Sequence, residues 1–206
     1  TKSIFLFIKI YSYSEFLCIY KNRKEQSMQK RVLIISGSPR KNGNSQLLCE
    51  RFQEGAKASG HHVDLIQIVE RQIGFCRACD GCMRNNGICV LYDDMAEILE
   101  IFQKADVLVL ATPVYFYGVT AQMKCFIDRT YPIWQNLGHK DVYYIVSAGL
   151  GTDIIERSLG DLDGFVEHLD HSVVKGRIYA PNIMEAGLVK ECPQVLQQAY
   201  DMGKHV

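Results

Sequence analysis

The sequence predicts an α/β protein of three layers, a five-stranded parallel sheet in the order 2-1-3-4-5 with helices on both faces. Three observations predict it. Five apolar, β-branched runs, near residues 31–36, 62–68, 106–111, 142–147 and 173–179, alternate with amphipathic segments, the pattern of a sheet whose crossovers are helical. The first run, Val32-Leu33-Ile34-Ile35, ends in the Gly-, Ser- and Asn-rich stretch Ser36-Gly-Ser-Pro-Arg-Lys-Asn-Gly-Asn-Ser45. A strand running through such a loop into a helix gathers backbone N–H groups and hydroxyls at one point, with the positive end of the helix dipole behind them. Finally, 206 residues suffice for one well-buried domain and are short for two.

The helices follow in order. Leu48, Phe52 and Ala56 fall on one helical face after the first strand, and Met95, Ile98, Leu99 and Phe102 on another, with Asp93 or Asp94 available as N-cap. A third helix starts near Thr120 and carries Met123, Phe126 and Ile127 inward. A fourth presents Ile155, Leu159, Leu162, Val166 and Leu169, weakened by Gly160 and Gly164. The last opens at Pro193 and buries Val195, Leu196, Ala199 and Met202. Five strands in strict alternation with helices, and a phosphate loop after the first, form a flavodoxin-like arrangement. Its ligand lies at the carboxyl ends of the strands, at the switch point.

The loop itself narrows the ligand. A nucleoside-triphosphate loop needs a Lys-Ser/Thr pair after its second glycine, and here Asn44-Ser45 stands there; the dinucleotide pattern G-x-G-x-x-G is absent too. What remains suits one terminal phosphate monoester held by Ser38, Arg40, Asn44 and Ser45, such as that of flavin mononucleotide (FMN). The flavin ring would then lie across strands three and four. Strand three runs into Ala111-Thr-Pro-Val-Tyr-Phe-Tyr-Gly118, where Pro113 stiffens the loop and aromatic side chains line a planar ring. Backbone N–H groups of Val114, Tyr115 and Phe116 are expected to bond the ring's N5 and O4. Strand four ends in Ser147-Ala-Gly-Leu-Gly151, small enough to lie against the pyrimidine edge.

Together, Gly37-Ser-Pro-Arg-Lys-Asn-Gly-Asn-Ser45, Thr112-Pro-Val-Tyr-Phe116 and Ala121-Gln-Met-Lys-Cys-Phe-Ile-Asp-Arg129 resemble the NADPH-dependent FMN reductase family of flavodoxin-like proteins, over roughly residues 29–205. The resemblance implies FMN as cofactor, a nicotinamide as electron donor, and homodimers or homotetramers in which a neighbouring subunit helps cover the flavin. It also implies phosphate contacts from Ser38, Arg40, Asn44 and Ser45, and ring contacts from Pro113, Val114, Tyr115, Phe116, Ala148 and Gly149.

Four of the eight cysteines, Cys76, Cys79, Cys82 and Cys89, fall in one window with the spacing C-x2-C-x2-C-x6-C. Zinc sites usually pair two C-x2-C knuckles across a longer loop, whereas three cysteines at steps of three with a fourth nearby let a short loop wrap a [4Fe–4S] cluster. The pattern resembles the iron–sulfur flavoprotein branch of the same group. Free thiols, a labile disulfide and zinc remain the other readings. Asp128-Arg129 reads as a structural ion pair, Lys124 as a solvated helix residue.

The functional expectation is an FMN-dependent NAD(P)H oxidoreductase that passes electrons to a quinone, a nitro or azo compound, a metal ion or a flavin. The alternative is an iron–sulfur flavoprotein that carries electrons from ferredoxin through the four cysteines to FMN. With 23 basic and 23 acidic residues, nothing points to a nucleic-acid or membrane partner. Residues 1–27 read as a leader or extension outside the fold, and residues 28–206 as the FMN-binding domain. The apolar run Ile4–Ile8 is too short to span a bilayer and no signal-cleavage pattern follows, so a cytoplasmic location is expected.

Overall fold

In the computed structural model, residues 29–206 are described; the expectation for residues 1–27 lies outside them. The strands are β1 (Arg31–Ser36), β2 (His62–Gln67), β3 (Val107–Pro113), β4 (Asp141–Ser147) and β5 (Val173–Ala180). All neighbouring pairs are parallel and the order is β2-β1-β3-β4-β5, as the alternation of elements predicts. The main helices are α1 (Asn44–Ala58), α2 (Gly81–Arg84), α3 (Met95–Lys104), α4 (Ala121–Arg129), α5 (Thr152–Arg157), α6 (Gly160–Glu167) and α7 (Pro193–Lys204).

Because side chains alternate along a strand, the sheet feeds two cores. Leu33, Ile35, Leu108, Leu110, Tyr144 and Val146 pack against α3, α4, α5 and α6. Val32, Ile34, Val109, Ala111, Tyr143 and Ile145 pack against α1 and α7. On that second face α1 and α7 touch backbone to backbone. A Cβ on Gly55 would collide with the Tyr200 carbonyl, and one on Gly203 with the Phe52 carbonyl.

One element departs from expectation. The single helix predicted across 155–169 is two helices, α5 and α6, because Ser158 turns its hydroxyl back onto the Ile155 carbonyl (2.7 Å) and Gly160 opens a new helix. The apolar face survives the break, with Ile155, Leu162 and Val166 buried in one core. No helix among the described residues is long and apolar enough to cross a membrane.

Candidate functional site

The β1–α1 loop is wound as tightly as its atoms allow. The Gly37 N–H donates to the Ala111 carbonyl (2.8 Å), while the Gly37 carbonyl accepts from Thr120 Oγ1 (2.7 Å), the residue that also caps α4. A Cβ on Gly43 would sit 2.9 Å from the Arg40 carbonyl. Gly43 is the N-cap of α1 and supplies no side chain, so the first N–H groups of this helix stay open to an anion. Ser38 and Ser45 are buried beside them, and Ser45 Oγ lies 2.9 Å from Ser147 Oγ at the end of β4.

These residues border a cavity of about 150 Å³ at the carboxyl ends of the strands. Ser38, Arg40, Asn44, Ser45, Pro113, Val114, Tyr115, Ala148 and Gly149 all line it. Among the described residues its wall carries one cation, Arg40, and no carboxylate. Phe116, expected with them, is fully exposed at the tip of a two-residue hairpin bridging Tyr115 and Gly118. Phe116 and Tyr117 both adopt the left-handed conformation (φ 49° and 63°) that such a turn requires.

The structure changes three expected roles. Asn44 has no side-chain donor left for a phosphate: its amide donates to the carbonyls of Ile183 (3.0 Å) and Glu185 (2.8 Å) and accepts from the Val189 N–H (3.0 Å). The Val114 N–H is taken by the Ser147 carbonyl (2.8 Å) and the Tyr115 N–H by the Gly118 carbonyl (3.0 Å). Of the three donors expected at the ring, only the Phe116 N–H lacks a protein acceptor among the described residues.

The sequence reading also missed a strap, residues 181–187, which crosses the cavity after β5. Ile183, Met184 and Ala186 line it, Arg40 Nη1 donates to the Met184 carbonyl (2.9 Å), and the Met184 side chain lies against Gly149. Its only sequence signal is the Pro181-Asn182 turn after the strand. The phosphate end therefore fits an FMN phosphate, with hydroxyls, helix N–H groups and a cation. The ring end is narrow and roofed by a methionine, a side chain soft enough to yield.

The cysteine loop lies on the outer side of α4. Ala78, Asp80 and Asn86 adopt left-handed backbone (φ 48°, 52° and 50°), which folds the chain sharply between the cysteines. Cys76, Cys79, Cys82 and Cys89 all line one small cavity of about 30 Å³. All seven described cysteines are free thiols, and burial pushes the Cys82 thiol pKa up. Among the described residues no three His, Cys, Asp or Glu side chains are gathered closely enough to hold a single metal ion.

Arg129 forms one wall of this cavity. The expected Asp128–Arg129 pair is not made: Asp128 pairs with Lys124 (2.5 Å), and Arg129 with Asp93. A larger groove, about 720 Å³ and lined by Tyr131, Trp134, Phe165 and Leu169, adjoins the cysteine cavity, and its described lining includes no glycine, lysine or arginine.

A doubly wound sheet with an anion cradle at its switch point defines a flavodoxin-like nucleotide-phosphate protein. The sequence profile of the NADPH-dependent FMN reductase family matches residues 30–181, and the chain belongs to that family of flavoprotein oxidoreductases. It is 38% identical over 120 residues to an iron-sulfur flavoprotein of Archaeoglobus fulgidus, covering 57% of this chain and 54% of that protein. It is 40% identical over 100 residues to an iron-sulfur flavoprotein of Methanosarcina thermophila, covering 48% and 52%. A Bacillus subtilis protein described as an NAD(P)H-dependent FMN-containing oxidoreductase is 30% identical over 99 residues, covering 48% and 51%. The chain spans about half the length of the curated relatives it matches. Among solved structures, an NAD(P)H:quinone oxidoreductase from Methanothermobacter marburgensis superposes with a TM-score of 0.68 at 18% identity, covering 86% of this chain and 96% of that one. An azoreductase from Bacillus anthracis gives 0.67 at 12%, covering 86% and 100%. At such identities the likeness is one of fold.

Proposed function

We propose that this chain is an iron–sulfur flavoprotein. It holds FMN on the loops after β1, β3 and β4 and a [4Fe–4S] cluster on Cys76, Cys79, Cys82 and Cys89. It takes single electrons from a ferredoxin-type partner and delivers them to a small-molecule acceptor. The observation that carries this reading is the cysteine site itself: Cys76, Cys79, Cys82 and Cys89 all line one cavity, with the buried Arg129 in its wall. The iron-sulfur flavoproteins among the relatives support the same reading.

Bound FMN supplies both hydride and single-electron chemistry, and the cluster single-electron chemistry. The protein's part is placement. Ser38, Ser45, Arg40 and the open N–H groups of α1 hold the phosphate, Pro113 and Tyr115 border the ring, and Ala148 and Gly149 let it approach β4. The Phe116 N–H is the ring-end donor. Assembly as a homodimer or homotetramer is part of the proposal, as the resemblance to the reductase family implies.

A second reading is an NAD(P)H-dependent FMN oxidoreductase whose cysteines remain thiols. It is supported by the exposure of Leu150 (51%) and Met184 (64%) beside Gly149, apolar side chains at the ring end that can yield to a nicotinamide. The test is anaerobic purification with flavin, iron and zinc analysis and an absorption spectrum on one sample. Flavin bands over broad sulfur-to-iron absorption, with about four irons per chain, support the first reading. Flavin without iron refutes it, and bleaching by NADH or NADPH then establishes the second.

A further inference from the structure

Arg129 is the largest fully buried side chain among the described residues, 2% exposed, although a guanidinium cannot shed its charge. Burying an unpaired cation costs several kcal/mol, and the fold offsets this with Asp93. Arg129 Nη1 and Nη2 donate to the two Asp93 carboxylate oxygens at 2.6 and 2.9 Å, and Nη1 also donates to the Gly74 carbonyl at 2.6 Å. Asp93 is fixed in turn by the N–H groups of Gly74 (2.9 Å) and Met95 (3.2 Å).

The pair does not use all of the guanidinium. Nη2 lies 3.7 Å from Cys89 Sγ, and Nε is buried with no partner among the described residues. An unsatisfied buried donor costs roughly 1–3 kcal/mol, and this one belongs to a side chain in the wall of the cavity that all four cysteines line. A purely structural ion pair has no need of a spare N–H or of a place in that wall.

We propose that Arg129 is a tuning residue for the centre on the cysteine loop: it donates to Cys89 Sγ, sets a fixed positive charge at the edge of the cluster, and so raises its reduction potential. The proposal rests on the iron–sulfur reading. Reduction transfers one electron to the centre from dithionite, the titrant; no bond breaks and no proton moves. A site ligated by four thiolates becomes more negative by one charge, so hydrogen bonds from a cation stabilise the reduced form more than the oxidised one. Asp93 sits behind the guanidinium and partly cancels its charge, which gives the two residues opposite signs of effect.

The experiment is an anaerobic redox titration of the reconstituted full chain, followed by absorbance and electron paramagnetic resonance, with iron content measured on each variant. In R129Q the reduced-to-oxidised ratio at a given potential should fall about tenfold, equivalent to about 59 mV for one electron. R129K should keep most of the wild-type midpoint, and D93N should raise it. An R129Q that retains iron with an unmoved midpoint overturns the proposal alone. Should R129Q lose its iron, D93N decides. An iron-loaded D93N with a raised midpoint supports the charge effect, an unmoved or lowered midpoint overturns the proposal, and loss of iron in both variants means that the pair only holds the loop and overturns it too. Wild-type protein that takes up no iron refutes the reading of the cysteine loop and the proposal with it.

Discussion

Replacing Asn44 separates two accounts of the phosphate loop. In the sequence reading its side chain touches the phosphate; in the structure the amide ties down the strap, donating to Ile183 and Glu185 and accepting from Val189. Each buried hydrogen bond contributes about 1 kcal/mol net, and a buried carbonyl left alone costs more. N44A should therefore destabilise the flavin-free protein by about 3 kcal/mol, or about 6–12 °C in Tm for a chain of this size. The assays are urea unfolding of the flavin-free protein, amide exchange across residues 181–189, and FMN titration by fluorescence quenching. The structural account expects lower stability, faster exchange in the strap, and weaker binding as a consequence of both. Weaker FMN binding with unchanged urea midpoint and unchanged exchange would show that Asn44 acts on the phosphate directly, and the strap argument would fail.

R40A should cost more affinity for FMN than for riboflavin, by about tenfold, since Arg40 is the one cation in the cavity wall; equal losses for both ligands would remove it from the phosphate site. F116G should raise stability by about 1 kcal/mol in urea, because glycine relieves the left-handed backbone at φ 49° and the exposed ring packs on nothing within the protomer; a loss of stability would place that ring in a subunit contact. G55A should destabilise by about 3 kcal/mol, since its methyl meets the rigid Tyr200 carbonyl, and a neutral result would mean that α1 and α7 separate easily. For Asp93, burial pushes its carboxyl pKa up, but the Arg129 pair and the Gly74 and Met95 N–H groups outweigh that and hold it below its ordinary 3.8. A lowered folded value means that its contribution is complete above about pH 4 and is lost as pH falls through that value. The urea midpoint of wild type should therefore drop more steeply than that of D93N below pH 4.

What could be read from the sequence was what depends on periodicity and on local backbone. The central strands β1, β3 and β4 stand out because each is apolar on both faces, and the strand order follows from the alternation with helices. The glycine loop stands out because a strand–loop–helix with those residues has few other uses. The misses share a different cause: each depends on which distant group a side chain or N–H meets. Nothing near Asn44 announces carbonyls about 140 residues away. The Val114 and Tyr115 N–H groups looked free because the hairpin that consumes one of them needs two aromatic residues in left-handed backbone, a conformation that propensity disfavours. Arg129 was matched to its neighbour Asp128, yet adjacent helical residues point about 100° apart. Asp128 accordingly meets Lys124 one turn back, and Arg129 reaches Asp93.

Helix α4 gives these separate contacts a common frame. At its start, Thr120 accepts from the Met123 N–H (3.2 Å) and donates to Gly37 (2.7 Å), so the helix cap and the phosphate loop share one hydroxyl. At its end Arg129, and one turn earlier Cys125, both bond the Gly74 carbonyl, where the cysteine loop begins. Nine helical residues at 1.5 Å each separate the two ends by about 13 Å. Met123 and Phe126 anchor the span in the core beneath. The distance between the phosphate cradle and the cysteines is thus set by a helix rather than by the loops that carry the ligands. Loops held at both ends of one rigid element can adopt strained turns, as both of these do, without letting the two sites drift relative to each other.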